Sequence, residues 1–527
     1  MSLSLFDVVG PIMHGPSSNH TGGANRIGYV ARALMGGTPE QLTFGYHPFF
    51  MKMFTGHRTH IAMLAGCLGL REYDEACNDA KLLAARQGIT VSYIPLDEQP
   101  EVDRNTMRIL GRLDGIDWSI NGISIGGGNI VIDNICGVPV HIDGAHSVCF
   151  LLLDEKTNLQ PLVTAISDLV ENQLVEAGAF TGGKLICIQT SEPLTQEQEA
   201  QLEQLTAGVC KARRYVEPMH DFAQRSDQPP LFTTFQELLE LCKTRDLLDA
   251  AIDYECQRSH RTREQVMAMG LKIVDVITKS MAQGLKGNNP LLGGFCSGSD
   301  GKMAFDWAEN PNSITGPVFN RAIARALAMS EINATAGLVV AVPTAGSAGG
   351  LPGTLFTVAE RYGKSREELA GAFIIAAAVG TIIGNSGASF SGSIGGCQAE
   401  VGIGSGMAAA ASVWLAGGSA EAACHACAMA IKNLLGLVCD PLAGPVEIPC
   451  IKRNAVGVAT ALMGAEMALA GIRSAVPPDQ VVIALIDTQK RLPHELRGAC
   501  VGGLAACPIA KDYQKIWADK LASDQSL

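Results

Sequence analysis

From Leu369 to Ala399 the chain carries no charged residue, and no other feature limits its fold so strongly. The apolar part, "LAGAFIIAAAVGTIIG", has no polar face, so a helix built from it must be surrounded on all sides, by lipid or by other helices. Ser365 and Glu368 stand at capping-box spacing at its start. Its end runs into "NSGASFSGSIGG", glycine-rich backbone that lipid does not tolerate when exposed. A buried central helix that ends in a functional loop is the expectation. A membrane span, and with it a non-catalytic or transport protein, is the weaker alternative.

An enclosed helix needs a large domain around it, and a chain of 527 residues has room for two or three domains. Period-3.6 segments such as "RAIARALAMSEINATAGLVV" and "SAEAACHACAMAIKNLLGL" run from residue 235 to 527, which predicts a mostly α-helical C-terminal catalytic domain. Residues 1–145 read as a mixed α/β (α+β) domain punctuated by three glycine-rich turns, "GPSSNHTGG", "FTGHRTH" and "SIGGGN". Residues 146–217 follow a different rhythm, strand-helix-strand-strand-helix-strand, the order of a ferredoxin-like α+β domain. Thr195 with Gln198 caps its second helix. A polar linker at 218–234, with "QRSDQPPLFTT" inside it, leads to Thr234 and Glu237, which cap the first helix of the large domain.

Composition removes several classes of function. The 52 acids and 40 bases lie without long runs of one sign, and aromatic content is 5%, which argues against nucleic-acid binding. "MSLSLFDVVGPIMHG" opens the chain without a charged leader and apolar core, so a cytoplasmic location is expected. Sixteen cysteines are scattered without a framework, and in a reducing compartment most would serve as small buried hydrophobes.

Three of them share another setting. Cys397, Cys439 and Cys450 all lie in Gly- or Pro-bounded segments beside apolar helices. Three thiolates can hold three irons of a 4Fe-4S cubane and leave the fourth open as a Lewis acid. By spacing alone, three packed thiols remain the plainer reading, because no CxxC pair is among them. The true CxxC, Cys424 and Cys427, sits with His425 in an alanine-rich helix and reads as core.

Among the polar turns, Ser17, Ser18, Asn19, His20 and Thr21 crowd one glycine-bounded stretch, where hydroxyls and amides could cradle a carboxylate. A hydrogen-bonded turn is the equal alternative. His57, Thr59 and His60 add proton-transfer groups. "VPTAGSAGGLPG" presents Thr344 and Ser347 but lacks the lysine of a phosphate loop.

Together these motifs resemble the iron-sulfur-dependent L-serine dehydratases, or L-serine ammonia-lyases, in a single-chain form with fused β and α parts. "GPSSNHTGG" is similar to the family's GPSSSHT turn, "TGHRTH" to its TGxGHxTD element and "SIGGGN" to its SxGGG turn. "EINATAGLVVAVPTAGSAGGLPG", "GGCQAEVG", "KNLLGLVCDPLAGPVEIPCIKRNA" and "LPHELRGACVGGLAA" are similar to its α part. The resemblance implies that Cys397, Cys439 and Cys450 are the ligands of a 4Fe-4S cluster and that no pyridoxal phosphate takes part. It implies loss of water from L-serine, giving pyruvate and ammonia. His57, Thr59 and His20 are its implied catalytic residues. Ser17, Ser18 and Thr21 are its implied substrate contacts, with Thr344, Ser347 and Asn385 reaching carboxylate or amine. A homodimer is expected.

Three departures bear on the substrate. Asn19 stands for a serine, His60 for an aspartate, and "SGSIGGC" for SGAExGC, which removes an acid beside the cysteine. A related lyase for L-threonine or L-cysteine is therefore the runner-up. The terminal cysteine with which some relatives plug the open iron is not matched, since Cys507 is followed by twenty residues. Residues 146–217 stand where some members carry an ACT-type domain, and a regulatory and an interface role are both open.

Overall fold

The computed structural model describes residues 2–51, 53–97, 103–171, 173–220, 226 and 228–523. Of the expected linker at 218–234, residues 221–225 and 227 lie outside this description.

The uncharged run forms the helix Arg366–Asn385, every residue of which from Leu369 to Ile383 is buried. Its length and composition would allow it to cross a bilayer, but 83% of its apolar window is enclosed by protein. The helices Leu247–Ser259, Arg263–Gly284 and Ile403–Leu415 surround it, together with the short Leu5–Val8. The Ser365 side chain caps it through the amide of Glu368. An all-round apolar helix is stable here because neighbouring helices take the place of solvent on each side.

The N-terminal part holds a six-stranded sheet. Its order is Thr90–Pro95, Gln41–Tyr46, Thr106–Leu113, Ile116–Gly126, Asn129–Ile135, Val138–Ile142. The first pair is parallel and the rest antiparallel. The helices Gly23–Met35 and Thr59–Cys67 pack together, and their side chains share one core with the sheet.

Between residues 147 and 216 the elements are Ser147–Leu153, Leu159–Leu169, Leu174–Phe180, Gly183–Thr190, Gln196–Thr206 and Cys210–Val216. All strand pairs are antiparallel, in the order Cys210–Val216, Ser147–Leu153, Gly183–Thr190, Leu174–Phe180. Ser147–Leu153 reads as an unbroken apolar run because both its faces are covered. Val148, Phe150 and Leu152 enter the core of the larger sheet. Cys149, Leu151 and Leu153 enter a second core with the module's own helices. The alternation is the period-2 geometry of a strand.

The chain crosses between its halves at the very start. Ile12–His14 pairs antiparallel with Leu338–Val340. Leu5, Val8, Val9 and Met13 belong to the core of the helical half. Glu255, fully buried, receives the Leu5 amide at 2.8 Å and the Ser4 hydroxyl at 2.9 Å. The first residues of the sequence are therefore part of the helical domain's packing, and the chain enters the sheet domain only afterwards.

Candidate active site

A cavity lies where the sheet domain meets the helical half. One wall carries Ser17, Ser18, Asn19, His20, His57 and Gly127; the other carries Thr344, Ser391, Cys397, Glu400, Cys439, Cys450 and Arg453. A one-turn π-helix stands on each wall, Ser18–Gly22 leading into Gly23–Met35 and Gln398–Gly402 leading into Ile403–Leu415. Such wide turns are a common device for aiming side chains at a site.

On the first wall, Ser17 accepts from the His20 amide at 3.1 Å and so starts the turn. Thr21 Oγ1 donates to the His57 carbonyl at 2.7 Å, which ties the second histidine's loop to the first. The two rings meet with their Nδ1 atoms 2.7 Å apart, and His20 Nε2 lies 3.2 Å from Asn105 Oδ1. Burial pulls the His20 pKa down to about 4 and that of His57 well below the ordinary value. Both rings are therefore neutral at pH 7.

The His57 loop also touches the opposite wall. A Cβ on Gly56 would stand 2.5 Å from the Gly444 carbonyl carbon, so only glycine lets these two backbones approach so closely. Gly444 belongs to the turn between Cys439 and Cys450 and has a φ of 105°.

On the second wall three thiols arrive from three segments. Cys397 is the residue preceding the π-turn, and Cys450 opens the helix Cys450–Leu469. Both positions stand at a helix N-terminus, where unpaired backbone N–H groups point outward. Cys439 sits in extended backbone held by two main-chain bonds, from its amide to Leu496 O at 2.8 Å and from the Gly498 amide to its carbonyl at 2.6 Å. Arg453 Nη1 reaches Cys397 Sγ at 3.5 Å, Val438 O at 2.6 Å and Asp440 Oδ1 at 2.9 Å.

Ligand atoms of Cys397, Glu400 and Cys439 lie within 4.8 Å of one another. The bond to Cys397 together with burial holds the Cys439 thiol well above its usual range, and burial does the same to Cys450. Burial raises Glu400 to about 7, while its Oε1 accepts from Thr344 Oγ1 at 2.8 Å. A set of soft sulfur donors with one carboxylate, near a guanidinium, suits an iron-sulfur centre or another soft metal, and loading it has to release protons.

Of the residues singled out in the sequence, Ser17, Ser18, His20, His57, Thr344, Cys397, Cys439 and Cys450 line this one cavity. Thr21, Thr59 and Ser347 stand behind it. Thr21 braces His57, Ser347 donates to Val342 O at 3.1 Å, and Thr59 is fully buried with no partner for its hydroxyl among the described residues. Asn385 is outside. Its Oδ1 receives the Leu3 amide at 3.0 Å and its Nδ2 donates to Tyr254 at 3.1 Å, so its polar groups are used to fasten the start of the chain.

His60 also faces away, with its ring against Phe54 and Tyr93 at 5.3 and 5.7 Å. Cys424 and Cys427 are buried in the helical core, and His425 Nδ1 accepts from the Ser474 amide. Glu400, Arg453, Asn105 and Ser391 were not picked out by motif. The spacing of Glu400 three residues after Cys397 is a signal that both share one helical face.

Residues 242–505, half of the chain, match the family model described as serine dehydratase alpha chain. The probable L-serine dehydratase alpha chain of Bacillus subtilis is 41% identical over 287 residues, covering 54% of this chain and 95% of that one. The L-serine dehydratase alpha chain of Peptoniphilus asaccharolyticus is 38% identical over 297 residues, covering 55% and 99%. A probable L-serine dehydratase beta chain, also of Bacillus subtilis, is 37% identical over 153 residues, covering 29% and 69%.

Proposed function

Because the chain belongs to the serine dehydratase alpha-chain family, we propose that it removes water from L-serine and releases pyruvate and ammonia. The observation that carries this reading is the cavity itself, in which two neutral histidines face three convergent thiols. Cys397, Cys439 and Cys450 would hold a 4Fe-4S cluster, their soft sulfurs being the donors such a cluster takes. When bound, the cluster supplies a Lewis-acidic iron with an open position, against which hydroxide becomes a good leaving group.

The chain's own residues do the rest. An amino acid's Cα proton is a weak acid, so its removal needs a base held in place. His57 is that base, uncharged because burial keeps it so. Ser17 and Ser18, on the turn that carries His20, receive the substrate carboxylate, and Thr344 approaches from the cysteine wall. Proton abstraction on one wall and hydroxyl departure on the other give the enamine, which tautomerises and hydrolyses to pyruvate and ammonia.

The module at 147–216 is read as a ferredoxin-like unit, from the order of its elements and strands. The larger sheet's core covers one face of its sheet, which favours an interface role over a free regulatory one.

Anaerobic incubation with iron and sulfide, followed by an iron count, a visible spectrum and a pyruvate assay on L-serine, tests the reading. A brown protein that forms pyruvate from L-serine faster than it turns over L-threonine or L-cysteine is expected. A colourless protein, or a loaded one inactive on all three, overturns it.

A further inference from the structure

Two histidine nitrogens of the same kind, 2.7 Å apart and buried, require one N–H and one lone pair between them. Which ring carries the hydrogen decides which nitrogen of His57 is free to accept a proton, and the geometry around His20 determines it. We propose that Asn105 is a positioning residue which, through His20, places the hydrogen of His57 on Nδ1 and leaves Nε2 as the basic lone pair on the cavity side. The proposal rests on the reading of His57 as the base.

Asn105 is 5% exposed and comes from the segment that enters the strand Thr106–Leu113. Its side-chain oxygen stands 3.2 Å from His20 Nε2, and an amide oxygen only accepts. His20 therefore has its hydrogen on Nε2 and a lone pair on Nδ1. The facing Nδ1 of His57 must then be the donor. In a neutral ring this empties Nε2, which makes no hydrogen bond within the described protein.

The same oxygen of Asn105 faces Asn19 Nδ2 at 3.5 Å, and Asn19 Oδ1 in turn receives the Ser124 hydroxyl at 2.5 Å. The chain of bonds thus runs from a sheet strand to the cavity through buried groups only. Burial keeps both rings uncharged, so the second hydrogen that would blur the assignment is absent near pH 7. Among the described residues that line the cavity with the pair, the other titratable or charged groups are Glu400, Arg453 and the three thiols, and Asp103 accepts from the Asn105 amide at 2.7 Å behind it. The Phe50 and His20 rings meet nearly perpendicular, with centroids 4.5 Å apart.

The alternative is a turned Asn105 amide, with its nitrogen donating to His20, which reverses every hydrogen in the chain and leaves His57 Nε2 protonated. Aspartate separates the two, because a carboxylate only accepts. Asn105→Asp is expected to keep kcat within about tenfold of the parent and to move the acidic limb of the pH profile up by roughly one unit, since a nearby carboxylate favours the protonated rings. Asn105→Leu is expected to lower kcat about a hundredfold, with KM and iron content little changed.

Histidine-selective ¹⁵N NMR of the metal-free full chain gives a readout independent of activity, with His20→Gln and His57→Gln for assignment. The expected tautomers are Nε2–H for His20 and Nδ1–H for His57. An Asn105→Leu protein with the parent's kcat and pH profile, an Asn105→Asp protein as impaired as Asn105→Leu, or a protonated Nε2 on His57 overturns the proposal. A parent protein that never forms pyruvate would defeat the functional reading instead, and the NMR tautomers would still decide this one.

Discussion

His20 and His57 face Cys397, Cys439 and Cys450 across one cavity, yet the two sets are held in different ways. The histidines are held by each other and by Asn105, with hydrogen bonds at 2.7 and 3.2 Å. The thiols come from three separate segments, and each is steered by backbone: two helix starts and one doubly bonded loop. On the first wall burial removes positive charge from bases; on the second it keeps protons on acids. On the proposed function, a substrate between them would meet a base that is ready without a metal and a donor set whose chemistry would begin when a cation displaces its protons.

The largest effects should come from cutting one wall at a time. Cys439→Ser or Cys450→Ser is expected to abolish iron binding and pyruvate formation together, while circular dichroism stays that of the parent. His57→Ala should retain the full iron count and visible spectrum and lose about 10²- to 10⁴-fold in kcat. If both classes of variant lost iron, the division of labour between the walls would be wrong.

Acid sensitivity sharpens the comparison, because the two walls have opposite slopes. The pKa of His20 falls from 6.5 to about 4 on folding. The unfolded chain therefore takes up a proton that the folded one refuses, and stability present above pH 6.5 is lost as pH falls toward 4, by about 3 kcal/mol. Glu400 rises from 4.5 to about 7, so its contribution is present below pH 4.5 and lost as pH rises through 7. Urea midpoints of metal-free protein between pH 4 and 7 should rise with pH in Glu400→Gln and fall with pH in His20→Gln, relative to the parent.

Smaller effects test the contact between the walls. Gly56→Ala has to push the Gly444 backbone away and is expected to cost about 1–3 kcal/mol, with kcat reduced and iron retained. Cys424→Ser replaces a thiol in the helical core and should cost about 1 kcal/mol, leaving iron and activity as they were. A Cys424→Ser protein without iron would move the metal reading to the CxxC pair.

Much of this arrangement was legible in the sequence, for reasons that differ by element. The helix Arg366–Asn385 announced itself through its lack of charge, and three predicted capping boxes, at Thr195, Thr234 and Ser365, are formed as expected. Those are local features, set by residues three apart. The cavity's polar turns were readable for the same reason, since glycine and hydroxyl residues crowd a short stretch. Glu400 and Arg453 were not, although both flank expected cysteines. A carboxylate beside a thiol looks like any helical surface residue until Thr344 and the cavity enclose it.

Asn105 had no signal at all, because its role depends on His20, 85 positions away. Asn385 misled for the opposite reason. It ends the apolar helix beside a polar loop, where a contact with substrate is natural, but its amide is spent on Leu3 and Tyr254.

The antiparallel bond of Ile12–His14 to Leu338–Val340 has a consequence for how the chain is made. Synthesis proceeds from the N-terminus at about 5–20 residues per second, and the partner strand is encoded roughly 330 residues later. The opening strand therefore waits on the order of 20 to 60 seconds with its backbone unmatched. The sheet that follows it, whose strands lie close together in sequence, can close in that interval. During synthesis the first domain can thus take shape while the first strand is still loose, and the late arrival of Val339 and Val340 is what retires that exposed edge.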